Sequence, residues 1–406
     1  MANPSSEASN SLPTPNPYSG YKWTYFTSLD GPLRSRAERF LTTVDWPALL
    51  AYAAESRNEI AAVLLSDIGL GYNHMVRILE FGDGKRLVAR LRMPPLHDKI
   101  VSDDIVATII NCEMNAMFLV RQKTDVPVPQ IHAFETTSHN AVKAPFTLMD
   151  CLDGNVGMDL GMQVPVKHQK PLFKSLAKIH VQLSAVQLPK IGTIVSINED
   201  GTYQQGPIPG IGGPFDTATE FFKAWAANTE FGMPEEKLRA ASGPYAEEIL
   251  PSVSLFTKSI TKIAERLSVR DKGPFPLCHG DFGHNNIIVD DEYRILGVID
   301  WEGAFAGPWE LFGDFPLTLQ VIPPAMDLPS NYGEDGIPED DSLKQKFTDQ
   351  KEYVRVIRDE PESLGAHVLL SEIIGNFKRQ QLITAMRLYQ DGKVGWYSKL
   401  IDQFST

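Results

Sequence analysis

The chain has 406 residues, more than one ordinary domain needs and enough for two lobes with appendages. Its 38 Lys and Arg against 51 Asp and Glu leave a net charge of −13, which argues against nucleic acid or an anionic membrane as the main partner and is compatible with a cationic substrate. Cys112, Cys151 and Cys278 are too few and too scattered for a disulfide framework or a zinc cluster, which fits a reducing, cytoplasmic setting, and no apolar run approaches the length of a membrane span.

Residues 1–30 are expected to form a disordered tail. They begin rich in Ser, Asn and Pro and lack the basic start and apolar core of a secretory signal. Residues 31–42 read as a helix. A second helix opens at Asp45-Trp46-Pro47 and runs to about Ala54, with Asp45 as N-cap and Pro47 in the first turn. Strand patterns follow over 61–65, 74–81 and 85–92, with a loop over 69–73 and an Asp83-Gly84 turn that signals a hairpin. Gly69, Gly71 and Asn73 lie in that loop. Glycines there let backbone N–H groups approach a phosphate closely; a plain turn is the alternative. Arg90 and Arg92 share one face of the last strand, where a guanidinium can fork onto phosphate or carboxylate or simply snorkel at the surface.

Residues 102–123 read as a helix, with Asp103 and Asp104 favouring its dipole and an apolar stripe at Ile105, Ile109, Cys112, Ala116 and Leu119 or Val120. Glu113 borders the stripe as the natural partner of Arg90, with a solvated Glu as the plainer reading. Val126-Pro-Val-Pro129 ends the helix, because each Pro holds the preceding residue extended. Strands are expected over 131–134 and 146–149, and Met149-Asp-Cys-Leu-Asp-Gly154 connects to the second half. An amphipathic helix over 170–183 buries Leu172, Leu176, Ile179 and Leu183, with His180 as a core residue. Residues 191–215 are Gly- and Pro-rich and read as a loop, either framing a substrate site or forming a surface insertion. Helices are expected over 217–228 and 244–267.

The chemistry is concentrated in Leu277-Cys-His-Gly-Asp-Phe-Gly-His-Asn-Asn-Ile-Ile-Val-Asp290 and Val298-Ile-Asp-Trp-Glu302. Ile287 to Val289 reads as a buried strand, Asp290-Asp291 as a turn, and 294–299 as the returning strand. Asp281, Asn286 and Asp300 therefore converge at the mouth of a hairpin. Phosphoryl transfer asks for this set: a carboxylate to orient a hydroxyl and take its proton, and oxygen ligands for Mg2+. A hairpin whose Asp and Asn only make turns is the alternative. His279 is expected to hold the loop through its ring nitrogens; Glu302 either binds a metal or pairs with a cation; His284 either faces the site or packs. Beyond Asp300 the chain enters apolar packing with no long activation segment, which points to a fixed small-molecule site rather than a peptide groove. Residues 321–341 read as a mobile acidic loop, and 342–358, 362–379 and 382–404 as C-terminal helices.

At His279-x-Asp281-x4-Asn286, at Ile299-Asp300-x-Glu302 and at the Val126-Pro-Val-Pro129 step, the chain resembles the aminoglycoside phosphotransferase and choline kinase-like family. The resemblance implies an α+β, bilobal, protein-kinase-like fold, with a small β-rich N-lobe over 31–152 and a larger, mainly helical C-lobe over 153–406. It implies an ATP-dependent kinase acting on a hydroxyl-bearing small molecule. Asp281 would be the base with His279 beside it, and Asn286 and Asp300 the Mg2+ ligands. Gly69, Gly71 and Asn73 would lie over the phosphates. Arg90 would stand in the slot of the usual strand lysine, paired with Glu113, and the backbone at Asp150 and Leu152 would meet adenine. An atypical protein kinase and a nucleotide-binding scaffold without turnover are the rival readings. The identity of the acceptor is not carried by these motifs.

Overall fold

A computed structural model describes residues 20–23, 30–58, 62–96, 102–360 and 366–404; most of the expected tail lies outside this set. Two helices, α1 (Gly31–Thr43) and α2 (Trp46–Arg57), lead into a sheet of β1 (Ala62–Leu70), β2 (His74–Phe81) and β3 (Arg86–Arg92). Asp45 caps α2 by accepting from the Ala48 N–H at 3.1 Å. The helix α3 (Asp103–Lys123) follows, and β4 (Ile131–Glu135) and β5 (Phe146–Asp150) complete an antiparallel sheet in the order β1-β2-β3-β5-β4. The loop expected over 69–73 is shorter than that: β1 continues through Leu70, and the turn shrinks to Gly71-Tyr72-Asn73, closed by Gly71 N–H donating to the His74 carbonyl at 2.9 Å.

Period two decides what β3 presents. Leu87, Ala89 and Leu91 are buried in the small lobe's core with Met75, Leu79, Phe146 and Leu148. Val88, Arg90 and Arg92 are therefore turned to the opposite face. That single parity places two arginines on the cleft side of the sheet.

The helix α3 departs from expectation in two ways. Ile105 is 53% exposed, so the inward stripe begins only at Ile110. Its buried face then joins the core of the large lobe, not that of the sheet. The boundary at residue 152 divides the chain but not the packing.

The second half continues with α4 (Val166–Ser184), β6 (Gln187–Leu188), β7 (Thr193–Ile197), β8 (Tyr203–Gly206), α5 (Ala218–Asn228), α6 (Glu235–Ser242), α7 (Ala246–Ser254) and α8 (Phe256–Leu267). Next come β9 (Phe275–Cys278), the hairpin β10 (Ile287–Val289) and β11 (Ile295–Val298), β12 (Phe305–Ala306) and α9 (Trp309–Phe312). The last helices are α10 (Asp341–Asp359), α11 (Ala366–Ile374), α12 (Phe377–Gln390) and α13 (Tyr397–Asp402). The Gly-rich stretch expected as loop forms the β7–β8 hairpin. The single helix expected over 244–267 is two, broken at Leu255. The last two expected helices are three, with Gly392 at φ 72° ending α12. Residues 321–341 form short turns, Pro324–Met326 and Pro329–Asn331, and a Tyr332–Pro338 bridge. Trp301 and Trp309 are fully buried just beyond the β10–β11 hairpin, so the chain enters the core where a peptide kinase would carry its activation segment. Among the described residues no helix is long and apolar enough to cross a membrane.

Leu148 is fully buried beside Ala89 in the sheet that carries Arg90. Leu148→Ala is expected to cost about 2–5 kcal/mol in equilibrium unfolding followed by a probe in the small lobe.

Candidate active site

The strand β9 delivers His279, Gly280 and Asp281 to the cleft. Gly280 has φ 88°, and a Cβ there would stand 2.5 Å from the Gly303 carbonyl, so glycine alone lets this loop lie against the turn after Asp300. His279 is 3% exposed. Its Nε2 donates to the Ile299 carbonyl at 2.9 Å, and its Nδ1 accepts from the Asp281 N–H at 3.3 Å. Both ring nitrogens are used, in a neutral tautomer, to tie the Asp281 loop to the strand end carrying Asp300. Burial keeps the ring below the usual histidine pKa, outweighing the Ile299 carbonyl and the nearby carboxylates. His279 thus positions Asp281.

Asp281 is exposed. Its Oδ2 accepts from Asn285 Nδ2 at 2.8 Å and from Asn286 Nδ2 at 2.8 Å, and Asn286 Nδ2 also meets the Asp281 carbonyl at 2.9 Å. The Asn286 carbonyl accepts from the Ile299 N–H at 2.9 Å. Asn286 is therefore locked between Asp281 and the residue that precedes Asp300. Its side-chain nitrogen is spent on Asp281, which leaves the amide oxygen for another partner.

Asp300 stands in the left-handed region, φ 64° and ψ 61°, unusual for a residue with a side chain. Its Oδ1 accepts from Arg90 Nη2 at 2.5 Å, while Arg90 Nη1 donates to both Glu113 oxygens at 2.7 and 2.8 Å. One guanidinium thus joins the sheet, α3 and the end of the β10–β11 hairpin. Burial raises the Glu113 pKa and the Arg90 charge opposes that rise, whereas burial of Arg90 is outweighed by Glu113 and Asp300, which hold it charged. Arg92 Nη1 donates to Glu302 Oε1 at 2.8 Å, so Glu302 pairs with a cation. His74, near Glu302, is held neutral by burial and by both arginines.

Gly69 lies inside β1. At the hinge, the Asp150 carboxylate accepts from Gln130 N–H at 2.9 Å and meets His132 Nε2 at 2.8 Å, and Leu152 packs where Gly297 has no side chain. Asn155 exchanges two backbone hydrogen bonds with Val289, both 2.9 Å, fastening the connection to the β10–β11 hairpin. His284 is buried against Gly157 and Tyr293. His180 is a core residue bonded to Tyr353 and the Phe312 carbonyl, its pKa lowered to about 4 by burial.

A cavity of about 220 Å³ opens beside Asp281 and runs between Phe221, Trp225 and Phe305 to a polar end formed by Asp314, Gln320 and Arg387. Asp314 accepts from Thr384 Oγ1 at 3.1 Å and Gln320 Nε2 at 2.6 Å, and burial pushes its pKa up to about 6. Arg387 donates to Gln320 Oε1, while its Nε is buried without a partner. Sequence reasoning missed this polar end, and the Arg90–Asp300 contact as well. Nothing local marks either, because α12 reaches the cavity from far along the chain.

A β-rich lobe joined by one short connection to a helical lobe, with Asp-x4-Asn beside the Asp of the next hairpin, defines a protein of the protein-kinase-like fold. The chain belongs to the phosphotransferase enzyme family, whose family model matches residues 106–310. It is 28% identical over 261 residues to the Clavilactone A biosynthesis cluster protein Y of Ampulloclitocybe clavipes, which takes in 58% of this chain and 59% of that protein. It is 32% identical over 94 residues to the Altered inheritance of mitochondria protein 9, mitochondrial, of Lodderomyces elongisporus, 23% of this chain and 14% of that protein. The chain thus spans less than two thirds of the length of these relatives. Among solved structures it is similar to a Ralstonia eutropha JMP134 protein assigned as an aminoglycoside phosphotransferase, with TM-score 0.48, 14% identity and 89% and 98% of the two chains covered. It is also similar to a thermostable mutant of aminoglycoside phosphotransferase APH(4)-Ia in ternary complex with ADP and hygromycin B, with TM-score 0.43, 15% identity and 88% and 97% covered.

Two outcomes follow from this geometry. Asp300→Gly should be more stable than Asp300→Ala by about 1–2 kcal/mol in urea unfolding, because glycine accepts the left-handed backbone at no steric cost. Both variants lose the carboxylate. For His279, the unfolded ring takes up a proton at about its ordinary pKa of 6.5 while the folded ring, held lower, does not. Its contribution to stability is therefore lost as pH falls below that value, and the deficit of His279→Asn should be smaller at about pH 5.5 than at about pH 7.5.

Proposed function

We propose that the protein is an ATP-dependent phosphotransferase that moves the γ-phosphoryl group to a hydroxyl of a small molecule. The observation that carries this reading is the Arg90 bridge to Glu113 and Asp300 above the Asp281 loop. Kinases place a strand lysine there, paired with a helix Glu and poised over the α- and β-phosphates. Arg90 keeps its charge and forks bidentately, so it can exchange Asp300 for phosphate oxygens while retaining Glu113. Gly69, Gly71 and Asn73 would cover the phosphates, and the backbone at Asp150 and Leu152 would meet the base.

Asp300 and Asn286 fit a hard cation, since one offers a half-exposed carboxylate and the other an amide oxygen. Asn286 and Asp300 are the residues that would hold Mg2+ here, an ion that takes few protein oxygens and is commonly bound together with substrate phosphates. When bound it would neutralise charge developing on the transferred group. Asp281 Oδ2 is held by two amides, which leaves Oδ1 to accept the proton of the attacking hydroxyl. The hydroxyl oxygen bonds to the γ-phosphorus as the bond to the β-phosphate oxygen breaks, its proton passes to Asp281, and ADP leaves.

The acceptor would enter the cavity beside Asp281. Its volume of about 220 Å³ falls below the roughly 300–1,000 Å³ of pockets for drug-sized ligands, which favours a compact alcohol over a multi-ring aminoglycoside. Aromatic walls ask for an apolar body, and the buried Arg387 Nε asks for a hydrogen-bond acceptor at the far end.

Asp281→Asn tests the assignment. ADP release with a compact alcohol should fall by about two to four orders of magnitude while MgATP affinity is kept. Asp300→Asn should weaken MgATP binding as well as turnover. Full activity in Asp281→Asn would refute the catalytic role of the loop.

A further inference from the structure

Residues 20–23 lie across the front of the cleft. Asn155 Nδ2 donates to the Gly20 carbonyl at 3.0 Å, and the Lys22 N–H donates to Asn155 Oδ1 at 2.7 Å, so one amide grips the segment twice. The Tyr21 hydroxyl stands 3.0 Å from the sulfur of Cys151, the residue between Asp150 and Leu152. The Trp23 indole lies on Gly69: a Cβ built there would be 3.1 Å from indole Cδ2 and 3.2 Å from the Val76 Cβ. The two rings pack together with centroids 4.9 Å apart.

Strand register says which face this is. Gly69 pairs with Val76, and Val76 pairs with Arg90. Directly opposed residues on antiparallel strands share a face, so Trp23 occupies the face from which Arg90 reaches Asp300. The absence of a side chain at Gly69 is what admits the indole. The segment thus touches Cys151 of the connection between the lobes at one end and Gly69 near the end of β1 at the other, two borders of the proposed nucleotide site.

We propose that this N-terminal segment is an intramolecular competitor for the nucleotide: Tyr21 and Trp23 occupy the slot of the base and must leave before ATP enters. The proposal rests on the nucleotide-binding reading given above. Neither ring belongs to either hydrophobic core, so the segment can leave without disturbing the fold. It also cannot go far. The helix α1, only a few residues on, is fastened beside the cleft by Arg36, which is 5% exposed and donates to the Tyr72 carbonyl at 2.5 Å. A tethered competitor acts at a high effective concentration whatever the protein concentration, and it lowers apparent nucleotide affinity by the fraction of molecules left open.

The test uses the full chain, with MgATP affinity measured for the parent, Trp23→Ala and Tyr21→Phe. Relief of a competitor should lower the dissociation constant by about tenfold in Trp23→Ala and by less in Tyr21→Phe. Trypsin supplies a second readout without any substitution. Lys22 is exposed, and MgATP should hasten cleavage after it in the parent as the segment is displaced. Unchanged or weaker MgATP binding by Trp23→Ala, or protection of the Lys22 bond by MgATP, overturns the competitor while leaving the nucleotide site standing. Failure of all three proteins to bind MgATP overturns the nucleotide reading and the competitor with it.

Discussion

Arg90 is the constraint on which the cleft depends. A guanidinium cannot escape burial by giving up its proton, so a buried Arg must be surrounded by acceptors. Its side chain is 13% exposed, and it is satisfied by Glu113 on α3 and by Asp300 beyond β11. The dependence runs both ways, because Glu113 is 3% exposed and without Arg90 would be an uncompensated buried charge. Arg92 and Glu302 repeat the pairing one step along β3. Asp281, Asp300, Glu302 and Glu113 outnumber the two arginines at the cleft, so its charge is negative on balance.

What could be read from the sequence was what is local. The β2–β3 hairpin follows from Asp83-Gly84. Asp281, Asn286 and Asp300 could be grouped because two short adjacent strands carry them. Strand parity put Arg90 and Arg92 on one face without choosing between them; the resemblance to the kinase strand-lysine slot is what singled out Arg90 as the partner of Glu113.

What escaped was set by packing between distant segments. Periodicity showed that one face of α3 is buried but not against which core, and it misplaced the start of that face at Ile105. The stretch over 191–215 looked like loop because its glycines hid the short β7–β8 pairing. Arg90 and Asp300 are 210 residues apart, and Tyr21 and Cys151 are 130 apart. No local signal reports a contact of that kind. The Ser-, Asn- and Pro-rich composition before Gly20 also drew attention away from Tyr21 and Trp23, which contact Cys151 and Gly69.

The attachment of α3 to the large lobe changes what the Arg–Glu pair can report. In protein kinases the helix bearing that Glu can swing against the small lobe, and its position governs activity. Here Asn115 on α3 donates to the Ile194 carbonyl at 3.1 Å, Gln122 accepts from the Tyr203 hydroxyl at 2.8 Å, and the apolar face between them is sunk in the large core. The helix is tied to β7 and β8. Arg90 belongs to the sheet, and both of its carboxylate partners are carried by segments packed with the large lobe. The ion pair therefore fastens the sheet to the large lobe across the cleft, not one part of the small lobe to another.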